Sequence, residues 1–271
     1  MKRIIRLFLI VSVFFTFIIG CGKTTTPAPN VAPNQQPNKA PVAQELMVAG
    51  AADLTLAFTE LGMSFEQKYG TKVTFSFGSS GQLADQIENG APFDVIASAN
   101  VKLVDKLREI DRVIADSQEL YALGRVGIAT LKTNSLQATT LEDLTKAEFK
   151  KIAIANPEHA PYGLAAKQAM ETAGVWNAVK PKLVYGKNIS DTLTLLETGN
   201  VEVAIIALSI VKDDVNFRII DESLHKPLEQ SIAVVKGSKN EEMAREFIRY
   251  VNGEGRDIMK KYGFIHPILD K

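Results

Sequence analysis

The chain has 271 residues, 46% of them hydrophobic, enough to bury one large core or two smaller ones. Its 31 basic and 31 acidic residues cancel, which leaves no electrostatic footprint for a nucleic acid or an anionic membrane surface. If the protein holds an anion, local geometry must do it.

Lys2, Arg3 and Arg6 precede a run without charge from Leu7 to Gly20, too short to span a bilayer comfortably and flanked as an export signal is. Residues 1–20 are therefore predicted to be a signal peptide; an uncleaved anchor with an incidental cysteine is the alternative. The run ends in Ile18-Ile19-Gly20-Cys21, which resembles the lipobox of bacterial lipoproteins and implies that Cys21 is lipidated and becomes the mature amino terminus. Cys21 is the only cysteine in the chain, so no internal disulfide can form. Residues 21–43 carry prolines at 27, 29, 33, 37 and 41 and no apolar period, the composition of a solvated tether. At about 3.3 Å per residue it reaches up to roughly 70 Å from the lipid.

The folded body opens with an apolar strand at 45–49, then Gly50-Ala51-Ala52-Asp53 and a helical spacing of apolar residues at 54, 57, 58, 61, 65 and 69. Asp53 stands where a helix cap belongs, and Gly70 closes the helix. A second strand, 72–77, runs into Gly78-Ser79-Ser80-Gly81, a turn that leads to a helix containing Leu83 and Ile87. First-turn amides without internal partners, glycines and two hydroxyls are the chemistry of an anion cradle, although an ordinary serine-capped turn has the same composition. A third strand, 93–97, and a helix from Val101 follow.

The long apolar stretch 120–130 is predicted to carry the chain into a second lobe. There Thr140-Leu141-Glu142-Asp143 has the form of a capping box. The alternation resumes with a strand at 151–155, the turn Asn156-Pro157-Glu158-His159-Ala160-Pro161-Tyr162-Gly163 and a helix; then a strand at 182–185, the turn Gly186-Lys187-Asn188-Ile189-Ser190 and another helix; then a buried strand at 203–207. A strand at 231–235 returns to the first lobe, and a helical segment from Asn240 to Tyr262 breaks at Gly253-Glu254-Gly255. The expected fold is α/β, with mainly parallel sheets flanked by helices and ligands bound beyond the carboxyl ends of the strands. Lobe 1 is expected to comprise 44–125 plus 231–271 and lobe 2 126–230, joined twice, which favours a hinge.

Taken together with Gln86-Ile87-Glu88-Asn89-Gly90-Ala91-Pro92, Ser98-Ala99, Asn156-Pro157 and Lys261-Tyr262-Gly263-Phe264, these turns resemble the molybdate- and tungstate-binding proteins of bacterial ABC importers, from about Leu46 to Phe264. The resemblance implies a two-lobed periplasmic-binding-protein fold that closes on a tetrahedral oxyanion, molybdate or tungstate, held by amides and hydroxyls without a basic side chain and without a cofactor. It implies an ABC permease and its ATPase as partners, a monomer, no enzymatic activity, and a location outside the cytoplasmic membrane or in the periplasm. The family's anion-binding positions carry over as Ala52, Asp53, Ser80, Tyr162 and Ile189, the last two through backbone N–H groups. Where some members place a tyrosine hydroxyl on the anion, this chain has Ala207, followed by Leu208-Ser209 as in another branch of the family.

Asp53 is the second departure, since family members commonly have serine or asparagine there. Beside a dianion at about 5 Å, an ionised carboxylate costs about 3 kcal/mol per unit charge product in an effective dielectric of about 20. Its side chain is expected to turn back onto the first-turn amides; the alternatives are an acceptor for a protonated oxyanion such as phosphate, or an acid or base. A serine hydrolase would need a base and an orienting acid that no spacing indicates, and a dinucleotide site would need a Gly-x-Gly-x-x-Gly pattern that is missing. His159, His225 and His266 stand far apart, with no metal-ligand spacing.

Overall fold

The computed structural model describes residues 45–267. The predicted signal peptide, Cys21 and the whole of the tether at 21–43 lie outside the described residues. Two five-stranded sheets organise the body. The first contains β1 (Glu45–Ala51), β2 (Lys72–Gly78), β3 (Val95–Ser98) and β4 (Glu119–Gly124); the second contains β5 (Val126–Leu131), β6 (Ile152–Ala155), β7 (Leu183–Gly186), β8 (Val203–Ala207) and β9 (Val215–Ile219). β10 (Leu228–Val234) returns to the first sheet, giving the orders β2-β1-β3-β10-β4 and β7-β6-β8-β5-β9.

In each sheet four strands share one direction. β2, β1 and β3 pair in parallel, and β10 pairs antiparallel with both β3 and β4. In the second sheet β7, β6 and β8 are parallel, and β5 opposes both β8 and β9. The opposed strands are the two that begin just after the chain has crossed between the sheets. The apolar stretch 120–130 is thus two strands separated by Arg125 alone. Arg125 is pinned there: its Nε and Nη2 donate to the Gly263 carbonyl at 3.1 and 2.8 Å, and its own carbonyl accepts from the Leu208 amide at 2.9 Å. The return strand starts at Leu228, three residues before the expected Ser231.

Helices cover both sheets: α1 (Thr55–Tyr69), α2 (Ser80–Glu88), α3 (Val101–Glu109), α4 (Pro161–Thr172), α5 (Trp176–Val179), α6 (Ile189–Glu197), α7 (Glu241–Asn252) and α8 (Arg256–Lys261). α1 buries Ala57, Phe58, Leu61 and Phe65, and it stops at Gly70, whose φ of 69° is the left-handed conformation glycine adopts without strain. Phe58 and Phe65 pack edge-on against Phe247 of α7, with ring centroids 5.9 and 5.2 Å apart, tying α7 to the first lobe. The Thr140–Asp143 capping pair forms, with Asp143 Oδ2 accepting from the Thr140 amide at 3.1 Å, but it opens only a 3-10 turn at Glu142–Thr145.

Candidate functional site

The carboxyl ends of β1, β2, β6 and β7 all lead into helix starts: a 3-10 turn at Ala52–Leu54 that runs into α1, and then α2, α4 and α6. All four starts meet at one cavity, whose walls include Ala52, Asp53, Ser80, Tyr162 and Ile189. The five residues singled out in the sequence are thus brought together from segments up to 137 positions apart. The cavity is about 10 Å³, room for one water, so admitting a four-oxygen anion requires the lobes to part.

Ser80 is the first residue of α2 and is buried. Its Oγ accepts the Ala99 amide at 3.0 Å, which fixes the hydroxyl oxygen and leaves its proton for a ligand. Tyr162 follows Pro161 at the start of α4; proline there forfeits no helix bond, and the Tyr162 amide has no partner within its own helix. Ile189 opens α6, where the Asn188 side chain caps the Asp191 amide at 2.9 Å, leaving the Ile189 amide directed out of the helix end. Three helix N-termini therefore face one small space with their positive dipole ends and unpaired donors. No basic side chain lines it.

Asp53 departs from its expected role. Neither the 3-10 turn nor α1 has a side-chain cap. The fully buried carboxylate instead reaches the other lobe and the return strand: Oδ2 accepts from Tyr162 Oη at 2.9 Å and from Gln230 Nε2 at 2.6 Å, while Oδ1 is buried with no partner. Burial pushes the Asp53 carboxyl up to about 6, against the lowering effect of the Gln230 and Tyr162 hydrogen bonds. Because its folded value lies above the ordinary 3.8, Asp53 favours this closed form at low pH and loses that contribution as pH rises through about 6. At about 1.4 kcal/mol per pH unit the loss amounts to up to about 3 kcal/mol. Asp53→Asn is accordingly expected to stabilise the ligand-free protein at pH 7.5 and to do nothing at pH 4, read from paired thermal melts.

Gln230 is the residue the sequence reading missed. It is fully buried, its Oε1 accepts from Tyr121 Oη at 2.7 Å and its Nε2 also meets Tyr162 Oη at 3.2 Å, so it joins β4, β10, α1's entry and α4 in one polar cluster. A glutamine immediately before the buried run Ser231–Val234 is the available signal, because a glutamine carried into a sheet interior needs partners. Ser190 and Ser209 were likewise not assigned roles. Their hydroxyls donate to the Ala52 and Asp53 carbonyls at 2.9 and 2.7 Å, fastening the turn after β1 from the second lobe. Ala207 ends β8 and is buried, and Ser209, two residues on, is the hydroxyl that comes to the turn.

The family model for bacterial extracellular solute-binding proteins matches residues 46–265, nearly all of this body. The chain belongs to that family. Among its relatives, the molybdate-binding protein ModA of Rhodobacter capsulatus is 33% identical over 226 residues, covering 82% of this chain and 89% of that protein. A putative ABC transporter substrate-binding lipoprotein of Bacillus subtilis, YvgL, is 31% identical over 226 residues, covering 81% and 85%. The solved periplasmic molybdate-binding protein of Azotobacter vinelandii superposes with a TM-score of 0.78 at 25% identity, covering 82% of this chain and 99% of that one.

The solute-binding frame explains a pair of contacts that in isolation look catalytic. Ser79 Oγ lies 2.9 Å from His159 Nδ1, as a nucleophile would from its base. Yet the Ser79 hydroxyl donates its single proton to the His159 carbonyl, so the ring nitrogen is left as the donor and cannot accept that proton. The Gly81 amide donates to the same carbonyl at 3.0 Å. Ser79 and Gly81 sit on the first lobe and His159 on the second, which makes this a clasp between the lobes of a closed solute-binding protein. Among the described residues no group of three or more histidine, cysteine or acidic side chains is placed to hold a metal ion.

Proposed function

We propose that this solute-binding protein captures a tetrahedral oxyanion, molybdate or its near-twin tungstate, and delivers it to an ABC permease driven by its ATPase. The observation that carries this reading is the meeting of three helix N-termini and the Ser80 hydroxyl at one cavity without a basic side chain. Fixed dipoles and N–H donors can hold a dianion that offers only acceptors. The naming of the Rhodobacter and Azotobacter proteins as molybdate binders supports the choice of anion. Ala52, Asp53, Ser80, Tyr162 and Ile189 are the proposed contacts, Tyr162 and Ile189 through backbone N–H. The Tyr162 hydroxyl is occupied by Asp53.

Capture proceeds by closure. The anion meets donors on one lobe, the second lobe swings in about crossings at Arg125 and at the segment before Leu228, and the extra contacts of the closed state drive the motion. The proposed lobes are 44–125 plus 231–271 and 126–230, except that 228–230 pair within the first sheet. Export by residues 1–20 and lipid attachment at Cys21 would hold the protein outside the cytoplasmic membrane, a reading supported by the lipoprotein naming of the Bacillus relative.

A thermal-shift screen of molybdate, tungstate, sulfate and phosphate tests the reading. Molybdate or tungstate at a thousand times its dissociation constant is expected to stabilise the protein by about 4 kcal/mol. Strong stabilisation by phosphate with none by molybdate would overturn the choice. Ser80→Ala is expected to weaken molybdate binding by about 1 to 3 kcal/mol, the scale of a lost hydrogen bond to a charged group. Unchanged affinity in calorimetry would remove Ser80 from the site.

A further inference from the structure

We propose that Asp53 enters the anion-filled site as the neutral acid and donates a hydrogen bond from Oδ1 to an oxygen of the captured dianion, so that each oxyanion is taken up together with one proton. This rests on the oxyanion reading above and assigns to Asp53 a role in selecting what is captured.

The geometry divides the carboxyl group unequally. Oδ2 receives two donors, Gln230 Nε2 at 2.6 Å and Tyr162 Oη at 2.9 Å, which use its two lone pairs. Oδ1 is buried with no partner among the described residues, on a residue that lines the interlobe cavity. An ionised carboxylate in this position would leave the lone pairs of Oδ1 unmet as well as its charge uncompensated. A proton on Oδ1 removes the charge and supplies a donor whose natural acceptor is an oxyanion oxygen.

The groups packed around the carboxyl do not neutralise it otherwise. From α4 comes Tyr162, from β4 Tyr121, from β10 Gln230 and from the turn after β8 the Ser209 hydroxyl, which takes the Asp53 carbonyl. Both tyrosines are pushed well above their ordinary range by burial and by the Asp53 charge, and they stay neutral. Burial, opposed by the hydrogen bonds to the carboxyl, already holds Asp53 up at about 6, and a dianion alongside raises it further by like-charge repulsion. The balance is simple: carboxylate, one proton from the solvent and the dianion give a carboxylic acid hydrogen-bonded to the dianion, and the proton returns to the solvent on release. Hydrogen phosphate would bring its own proton, whereas fully ionised molybdate must recruit one.

The test is calorimetric titration of the purified full chain with sodium molybdate at pH 6.5, 7.5 and 8.5, in two buffers of different ionisation enthalpy. The wild-type affinity is expected to fall about tenfold per pH unit, with about one proton taken up per molybdate at pH 8.5. Asp53→Asn keeps a neutral donor in place. It is expected to bind without this pH dependence and roughly 100-fold more tightly than wild type at pH 8.5. Flat wild-type affinity with no buffer-dependent heat would overturn the proposal without reference to any variant, and so would the same pH slope in Asp53→Asn. If neither protein binds molybdate at any pH, the oxyanion reading itself falls and the proton linkage with it.

Discussion

Gly163→Ala is expected to weaken molybdate binding at least 100-fold and to destabilise the protein by about 3 kcal/mol, the upper end of what overpacking costs. A methyl group on Gly163 would sit 2.0 Å from the Ala155 carbonyl oxygen and 2.6 Å from its carbon. Both are backbone atoms at the end of β6, so no rotamer change relieves the clash. The first turn of α4 must back away from the sheet, and it carries the Tyr162 amide and the hydroxyl that holds Asp53. Hydrogen-bond strength falls steeply with distance and angle, so a shift of about 1 Å at this helix end removes a donor from the site and breaks the Tyr162–Asp53 bond together. Calorimetric unfolding and molybdate titration of the variant check both effects; unaltered affinity would show that the start of α4 does not contribute to the site.

Gly81→Ala separates closure from folding. Its methyl group would meet the His159 carbonyl oxygen at 2.7 Å and the His159 Cα at 3.0 Å, atoms of the opposite lobe. Within α2 the same change is favourable, since alanine is the better helix former by about 1 kcal/mol. The first lobe should therefore melt no earlier than wild type without ligand. Closure, in contrast, acquires a backbone clash on the order of 1 to 3 kcal/mol, equivalent to roughly 5- to 150-fold in affinity. Small-angle scattering with molybdate present should retain the larger radius of gyration of the open form. Wild-type affinity in this variant would mean that the clasp at His159 is not closed in the bound state.

Much of the fold is legible in the chain because strands buried on both faces read as continuous apolar runs, as β3, β6 and β8 do, and because Gly70 and Pro161 mark helix ends by local chemistry. β9 escapes such a reading although Val215, Phe217 and Ile219 alternate with Asn216 and Arg218: the segment is only five residues long, it contains no apolar run, and only Val215 is buried in it. The five site positions are visible as turns after strands. What those turns do to one another is not. Local preference places Asp53 as a cap on its own helix because aspartate commonly is one, but its partners Tyr162 and Gln230 lie 109 and 177 positions away, and no local preference encodes them. The Ser79–His159 clasp spans 80 positions for the same reason.

A crystal structure of the protein grown with molybdate, with the metal located by its anomalous scattering, decides whether the anion lies between the lobes. One strong peak is expected between the lobes, with the anion's oxygens within hydrogen-bond reach of Ser80 Oγ, the Tyr162 and Ile189 amides and Asp53. A peak instead in the larger cavity of about 540 Å³ beside Arg256 and Lys260, where basic side chains are available, would contradict this placement.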